Sequence, residues 1–115
     1  MIDLALVAGG GLAGAVARHL LGERIDARTR DTLAVNVLGS LALGVLLGAP
    51  VAASTSLALA TGFCGAFTTF STFAFETVRL AETGRPRAAA VNGATNLVGA
   101  LLGIWLGTAL GAALA

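Results

Sequence analysis

Long apolar runs, interrupted by short polar segments, dominate the chain. Between Asp31 and Glu76 the side chain of Cys64 is the only ionisable one, and none follows Arg87. Uncharged runs of this length exceed the roughly 20 residues that a helix needs to cross a bilayer. The pattern therefore predicts one all-α integral membrane domain over residues 1–115. Its four transmembrane helices are predicted at about residues 4–21, 32–49, 56–75 and 88–110.

The composition agrees with membrane insertion and argues against several functions. The chain is 57% hydrophobic and 11% charged, with a mean hydropathy of +0.90, whereas soluble domains carry about 25% charged residues. A single cysteine offers neither a disulfide framework nor a metal cluster. The sequence contains no nucleophile–base pair for an enzyme and no stripe of basic residues for nucleic acid. We expect a multi-pass protein of the cell membrane that is not an enzyme and binds no nucleic acid.

The basic residues are all arginines, and they flank only two of the three predicted links. They lie around the first link and in the third: Arg18, Arg24, Arg28, Arg30, Arg79, Arg85 and Arg87. In a chain that crosses the bilayer four times these two links share one side. The positive-inside rule places that side in the cytoplasm, so both termini are expected outside.

Glycines recur at every fourth position in three of the predicted helices. They are Gly10 and Gly14 in the first helix, Gly44 and Gly48 in the second, and Gly99, Gly103, Gly107 and Gly111 in the fourth. Small residues at this spacing let helix backbones approach closely in lipid. We expect these faces to hold the bundle together. Because the links are short, successive helices are expected to be antiparallel neighbours.

The segment GFCGAFTTFSTF, residues 62–73, interleaves phenylalanine rings with hydroxyl side chains inside an apolar span. Its glycines and adjacent β-branched threonines are weak helix formers, so a break in the third helix is expected at about residues 65–69. Such a break frees carbonyl groups, which a bilayer tolerates only where protein or an ion satisfies them. Broken helices are a recurring device of transporters and channels. The segment is therefore a candidate ion site.

The side chains near this break favour an anion. A phenyl ring has a positive edge, and Thr, Ser and Asn supply donors that replace hydration water. No arginine is expected at membrane depth, where it would bind an anion too tightly for rapid release. Asp31 and Glu76 are expected at the interfaces, which argues against a proton-coupled transporter. From the residues alone, an anion path and a hydroxyl-lined helix interface are both open.

Three segments resemble the signature blocks of the CrcB/Fluc fluoride channel family. They are GGGLAGAVARHL (9–20), DTLAVNVLGS (31–40) and GFCGAFTTFSTF (62–73), and they follow the family's order and spacing along essentially the whole chain. The resemblance implies a fluoride-selective passive channel that exports cytoplasmic fluoride and so lowers its toxicity. It also implies an antiparallel, dual-topology dimer with two narrow pores at the subunit interface.

The resemblance assigns roles to residues along the implied fluoride pores. Phe70 and Phe73 match the aromatic residues whose ring edges line the pores. Asn36 matches the asparagine that donates to the ion, and Ser71 and Thr72 match the adjoining polar track. We therefore expect these five side chains to lie together around each pore.

Other matched residues lie beside the implied pore, and two positions depart from the family. The backbone carbonyls of Gly65 and Thr68 match those that hold a central structural sodium ion, and Arg18 matches an arginine near the vestibule. His19 stands where an aromatic residue is usual, and Asn96 where the fourth helix usually offers a pore-side serine. Because asparagine also donates hydrogen bonds, the pore track is expected to include Asn96.

Rival functions and two assemblies are left open by the sequence. Small multidrug-resistance antiporters share the size, but they need a glutamate embedded in the first helix, where this chain is apolar up to Arg18. A non-transporting scaffold would explain the glycines but not the TTFSTF segment. An antiparallel homodimer needs one chain to insert in both orientations, which the arginine bias opposes. A heterodimer with a homologous subunit of opposite bias is therefore the other candidate assembly.

Overall fold

A computed structural model describes residues 1–26 and 28–115, so Ala27 in the first predicted link lies outside the described residues. Within these residues every regular element is helical. The elements are α1 (Ile2–Arg24), α2 (Arg28–Gly48), α3 (Ala53–Ser56), a π-helix (Leu57–Cys64), α4 (Gly65–Phe67), α5 (Ser71–Glu82) and α6 (Pro86–Ala113). Among the described residues, α1, α2 from Thr29, the composite segment Ala53–Glu82 and α6 are long and apolar enough to cross a membrane. The predicted multi-pass helical bundle is confirmed.

The third link is much shorter than the sequence suggested. Most of residues 76–87 are helical, because nothing interrupts α5 before Glu82. Gly84 then supplies a turn with a left-handed φ of 82°, and Pro86 opens α6 in the first helical turn. Glu76 consequently stands on α5 and is only 4% exposed. Its burial was not expected from the sequence, since α5 continues past it instead of ending before it.

The two most extensive helix pairings skip one span. α1 packs chiefly on the π-helix of the third span, and α2 packs chiefly on α6. Successive helices were expected to be antiparallel neighbours, and they do contact one another, most of all α5 and α6, but these contacts are less extensive. When each span crosses the membrane in turn, spans two apart run in the same direction, and both main pairings are therefore parallel. The pairing follows the glycine faces and not the short links.

Glycines make both pairings possible, because the helix backbones meet directly. In the first glycine seam (Gly10, Gly14 and Gly62), an added Cβ at Gly14 would overlap the carbonyl of Phe63 in the π-helix. In the second glycine seam (Gly44, Gly48, Gly103, Gly107 and Gly111), an added Cβ at Gly107 would overlap the Leu41 carbonyl of α2. The prediction that these glycines pack helices closely is confirmed.

Candidate functional site

The third span is interrupted at residues 68–70. The π-helix leads into α4, which ends at Phe67, and Thr68 is extended with φ −87° and ψ 163°. Helix α5 then starts at Ser71. The sequence had located a break slightly earlier, at residues 65–69. Since π-helical turns are found frequently at functional sites, the segment from Leu57 to the break is a candidate functional site.

Asn36 of α2 forms hydrogen bonds with both the backbone N–H and the backbone carbonyl of Thr69 in the break. Its Oδ1 accepts a hydrogen bond from the Thr69 N–H at 2.8 Å, and its Nδ2 donates to the Thr69 carbonyl at 3.0 Å. In an unbroken helix the Thr69 N–H would donate to the carbonyl of Gly65. Asn36 takes that donor, so the break is satisfied within the protein and the Gly65 carbonyl loses its helical partner.

The hydroxyls of the break close its other side. The Oγ1 of Thr69 accepts a hydrogen bond from the Thr72 N–H at 3.2 Å, which caps the start of α5. The exposed Ser71 places its Oγ 3.5 Å from Thr69 Oγ1. The start of α5 carries the positive end of the helix dipole, and a helix N-terminus attracts anions. The break therefore presents hydroxyls and the partial positive charge of a helix start.

A central groove of about 400 Å³ opens beside the break. Its lining includes six residues that the resemblance had singled out: Asn36, Gly65, Thr68, Phe70, Phe73 and Asn96. The rings of Phe70 and Phe73 lie 5.8 Å apart and are tilted by 54°. Phe70 is 78% exposed on the single chain. The fold thus gathers the candidate residues from α2, the third span and α6 into one groove that is open at the protein surface.

A charged cavity of about 420 Å³ lies on the other side of Thr69, which lines both spaces. The lining of this charged cavity includes Arg18, His19 and Thr72. His19 pairs with Glu23 at 2.7 Å on the exposed face of α1. Ser71 lines neither cavity. The sequence-predicted residues are therefore divided between two spaces that meet at the break.

Arg18 reaches further into the protein than the sequence suggested. Its Nη1 donates to the Thr68 carbonyl at 3.4 Å, although no arginine was expected at the depth of the break. The long stem of the side chain explains the difference, because it can carry a charged head far from its own Cα. That expectation is wrong, and a guanidinium charge stands at the junction of the two cavities.

Asn96 is 5% exposed and contacts the break through Asn36. Its Oδ1 accepts from Asn36 Nδ2 at 3.1 Å, and its Nδ2 donates to the carbonyl oxygen of Asn92 at 3.0 Å. Thr77 accepts a hydrogen bond at its Oγ1 from Asn92 Nδ2 at 2.9 Å, a role that was not predicted because the residue was expected in a link. The spacing of four residues between Phe73 and Thr77 could have indicated this role, because it puts both residues on the same face of a helix.

No group of three or more His, Cys, Asp or Glu side chains that could hold a metal occurs in residues 1–26 and 28–115. A cation at the break would therefore depend on backbone carbonyls, and those of Gly65 and Thr68 lie beside the central groove. Gly65 O has lost its helical donor. Thr68 O has two lone pairs and accepts one long hydrogen bond from Arg18.

Residues 5–108 match the protein family described as "CrcB-like protein, Camphor Resistance (CrcB)". The chain belongs to the CrcB family. The matched CrcB region contains every residue that lines the central groove and the charged cavity. The family assignment therefore applies to the part of the chain that carries the candidate site.

Several CrcB relatives match along nearly their whole length. The protein named fluoride-specific ion channel FluC 2 of Natronomonas pharaonis is 56% identical over 108 residues, which cover 94% of this chain and 93% of that protein. FluC 2 of Haloarcula marismortui is 48% identical, with 88% and 87% covered. FluC of Methanocaldococcus jannaschii is 40% identical, with 97% and 96% covered. The similarity is thus to complete proteins of this size.

Proposed function

We propose that this CrcB-family chain is a subunit of a passive, fluoride-selective ion channel that lets cytoplasmic fluoride leave the cell. The observation that carries the proposal is the interrupted third span, whose Thr68, Thr69, Phe70 and Phe73 line one groove between membrane-spanning helices. The relatives described above bear the name fluoride-specific ion channel. The family and the site chemistry support the same conclusion.

Passive export is sufficient for this task because of the chemistry of fluoride. Hydrogen fluoride is a weak acid that crosses membranes as a neutral molecule and dissociates inside, which traps the anion. An inside-negative potential of 100 mV contributes about 2.3 kcal/mol per charge to its exit. A narrow path lined by donors provides selectivity over the larger chloride ion.

Individual residues of the path have distinct proposed roles. The ring edges of Phe70 and Phe73 border the anion, and the hydroxyls of Ser71 and Thr72 replace part of its hydration shell. Arg18 supplies the positive charge of the charged cavity, which acts as a vestibule and is also lined by the carboxylates of Glu23 and Asp31. Both amide hydrogens of Asn36 bind acceptors within the protein, so its donation to fluoride requires the release of one of them.

A second subunit completes the proposed channel. Phe70 is 78% exposed, the groove beside it is open, and an added Cβ at Gly65 would meet nothing within 4 Å in the single chain. An antiparallel partner would cover this face and convert the groove into a pore. The partner is either a second copy of the chain or a homologous subunit of opposite charge bias.

Reporter fusions at Ala115 decide between these two assemblies. A homodimer requires signal from both sides of the membrane. The seven arginines beside the first and third links favour a single orientation with the C-terminus outside. A purely external C-terminus would exclude the antiparallel homodimer, and the purified chain should then show no efflux until the homologous subunit is added.

A structural sodium ion is also part of the proposal. The Gly65 carbonyl has lost its helical donor to Asn36, Gly65 and Thr68 both line the central groove, and carbonyl oxygens are suitable ligands for a hard cation. The ion would supply a fixed positive charge at the break. Full activity and full thermal stability after exhaustive replacement of sodium would contradict this assignment.

One observation favours a second candidate, a proton-coupled fluoride transporter. Glu76 is 4% exposed within the bundle, whereas the sequence had placed it at an interface. Carboxylates inside membrane proteins are frequently part of proton pathways. An imposed pH gradient distinguishes the two, because it drives fluoride uphill only if proton and fluoride movements are coupled.

The central experiment is fluoride efflux from liposomes that contain only the purified protein. We expect rapid efflux down the fluoride gradient, little chloride efflux, and no uphill fluoride movement under a pH gradient. Empty liposomes are the control. No efflux from correctly oriented, dimeric protein, either alone or with its homologous subunit, would refute the channel function.

A further inference from the structure

A chain of hydrogen bonds leaves the break, passes through α2 and α6, and returns to α5. Asn36 Nδ2 donates to Asn96 Oδ1 at 3.1 Å. Asn96 Nδ2 lies 3.0 Å from the Asn92 carbonyl and 3.3 Å from Asn92 Oδ1. Asn92 Nδ2 donates to Thr77 Oγ1 at 2.9 Å, and that hydroxyl donates to the Phe73 carbonyl at 2.8 Å. The donors all point in the same direction along this amide relay.

The amide relay lies in the interior of the bundle. Asn92 is 8% exposed and Asn96 is 5% exposed, so their amide groups have little access to water. A buried amide that loses its partner costs far more than the hydrogen bond contributes in water. The geometry of each member is therefore strongly coupled to that of the next.

The amide relay fixes the first turn of α5 at two points. At its start, Asn36 holds both backbone polar groups of Thr69. One turn later, Thr77 holds the carbonyl of Phe73, and Asn92 of α6 holds Thr77 in turn. Rotation of α5 about its own axis would stretch the contacts that join this segment to other helices, Asn36 with Thr69 and Asn92 with Thr77. The bond from Thr77 to the Phe73 carbonyl lies within α5 and turns with it. Phe70 and Phe73 project from the turn that is fixed in this way.

Thr77 and Asn92 do not belong to the groove that contains the rings. The lining of the central groove includes Phe70, Phe73 and Asn96, but neither Thr77 nor Asn92. Their hydrogen bonds consequently act on the rings through the backbone of α5. We propose that Thr77 and Asn92 are positioning residues that set the rotation of α5 and hence the orientation of the Phe70 and Phe73 rings. This inference rests on the proposed channel function for its effect on flux, but not for its effect on ring position.

The test combines two substitutions at Thr77 with one at Asn92. Thr77→Val keeps the shape of the side chain and removes the hydroxyl, whereas Thr77→Ser keeps the hydroxyl. We expect Thr77→Val and Asn92→Leu to reduce fluoride efflux by about tenfold, the effect of losing roughly one buried hydrogen bond, and to raise chloride efflux relative to fluoride. Thr77→Ser should keep both the fluoride efflux rate and the selectivity over chloride close to wild type. Relaxed selectivity distinguishes a positioning role from a simple loss of folded protein.

Thr95→Val is the matched control. The Thr95 hydroxyl is on α6, as Asn92 is, and donates within that helix, at 2.8 Å to the Val91 carbonyl and 3.2 Å to the Asn92 carbonyl, which also accepts from Asn96. Among the described residues it makes no hydrogen bond to α5, so its loss leaves the contact between Asn92 and Thr77 in place. We expect wild-type efflux and selectivity from this variant. If Thr95→Val and Thr77→Val behave alike, hydroxyl loss inside the bundle has a general effect and the positioning role is refuted.

A spectroscopic measurement keeps the inference independent of ion flux. With 4-fluorophenylalanine incorporated at Phe73, the 19F resonance reports the surroundings of that ring in detergent-solubilised protein. We expect Thr77→Val and Asn92→Leu to shift or split the resonance, and Thr77→Ser and Thr95→Val to leave it unchanged. An unchanged resonance in both of the first two variants overturns the inference. Absence of fluoride efflux from the wild type would refute the channel function instead.

Discussion

The glycine seams and the polar break both hold helices together in lipid, but they do so by different physical means. At the first seam, the backbone of α1 lies directly against the π-helix, because Gly14 has no side chain to separate them. At the break, the side chain of Asn36 replaces the helical hydrogen bonds that Thr69 has given up, and Asn96 accepts a hydrogen bond from Asn36. The seams depend on glycines, whose missing side chains let two backbones touch. The break depends on directional hydrogen bonds that join α2, the third span and α6.

This difference has a functional consequence. Packing at a glycine seam improves only as the backbones approach, so the seam is rigid and has no space for an ion. At the break, the Gly65 carbonyl lacks a helical donor and the Phe70 ring is largely exposed. An ion or a second subunit can therefore contact these groups. We therefore expect seam variants to abolish folding, and break variants to change conduction in a protein that still folds.

The largest effect is expected from Gly14→Leu. The new side chain would overlap the Phe63 carbonyl, and overpacking of a rigid interior costs roughly 1–3 kcal/mol or more. Because backbone atoms cannot move aside as a flexible side chain does, we expect little folded protein in size-exclusion chromatography. Gly9→Leu is the control, since an added Cβ there meets nothing within 4 Å. Equal yields of the two variants would contradict the close-packed seam.

Asn36→Leu should have the next largest effect. It leaves the N–H and C=O of Thr69 without their side-chain partner, and each unsatisfied buried group costs about 1–3 kcal/mol. We expect folded protein with a lower thermal midpoint and strongly reduced fluoride efflux. Ser40→Ala, one turn further along α2 in the same groove lining, should retain most of both. Comparable losses of stability and efflux in the two variants would contradict this prediction, because they would show that the hydrogen bonds from Asn36 to Thr69 have no special effect.

Phe70→Ile and Phe73→Ile are expected to reduce conduction with little effect on folding. Isoleucine retains apolar volume but lacks the positive ring edge, so we expect a several-fold loss of fluoride flux per ring. Phe75→Ile is the control, because Phe75 is exposed and does not line the groove. Unchanged efflux from a correctly assembled Phe70→Ile/Phe73→Ile double variant would remove the aromatic path from the mechanism.

The smallest effect at the break is expected from Thr68→Val. The Thr68 hydroxyl donates only to the Cys64 carbonyl in its own helix, at 2.9 Å, so its loss should cost about 1 kcal/mol or less. The backbone carbonyl proposed to bind sodium is unchanged, and efflux should stay within about twofold of wild type. Gly65→Val should reduce efflux more, although the single chain has space for the side chain. The reverse order would contradict a carbonyl-based cation site.

Local sequence patterns predicted the spans, the charged links and the glycine faces. An uncharged run longer than the bilayer thickness requires a helix that satisfies its own backbone, whatever packs beside it. The glycine repeat likewise marks a close-approach face before its partner is known. The resemblance also singled out Asn36, Phe70 and Phe73, and the fold brings them to one groove. The spans, links and glycine faces were predictable because each depends on residues near one another along the chain, whereas the groove residues were identified through the resemblance.

Other features were decided only when the helices packed. The sequence did not reveal that α1 pairs with the third span and α2 with α6, because a glycine face allows close approach to any helix and does not specify which one packs there. Glu76 is buried because α5 continues past the expected link, and Arg18 reaches the break because α1 lies beside it. The amide relay requires side chains of α2, α5 and α6 to meet within hydrogen-bond distance. Such contacts are set by three-dimensional distance and direction, which spacing along the chain does not specify.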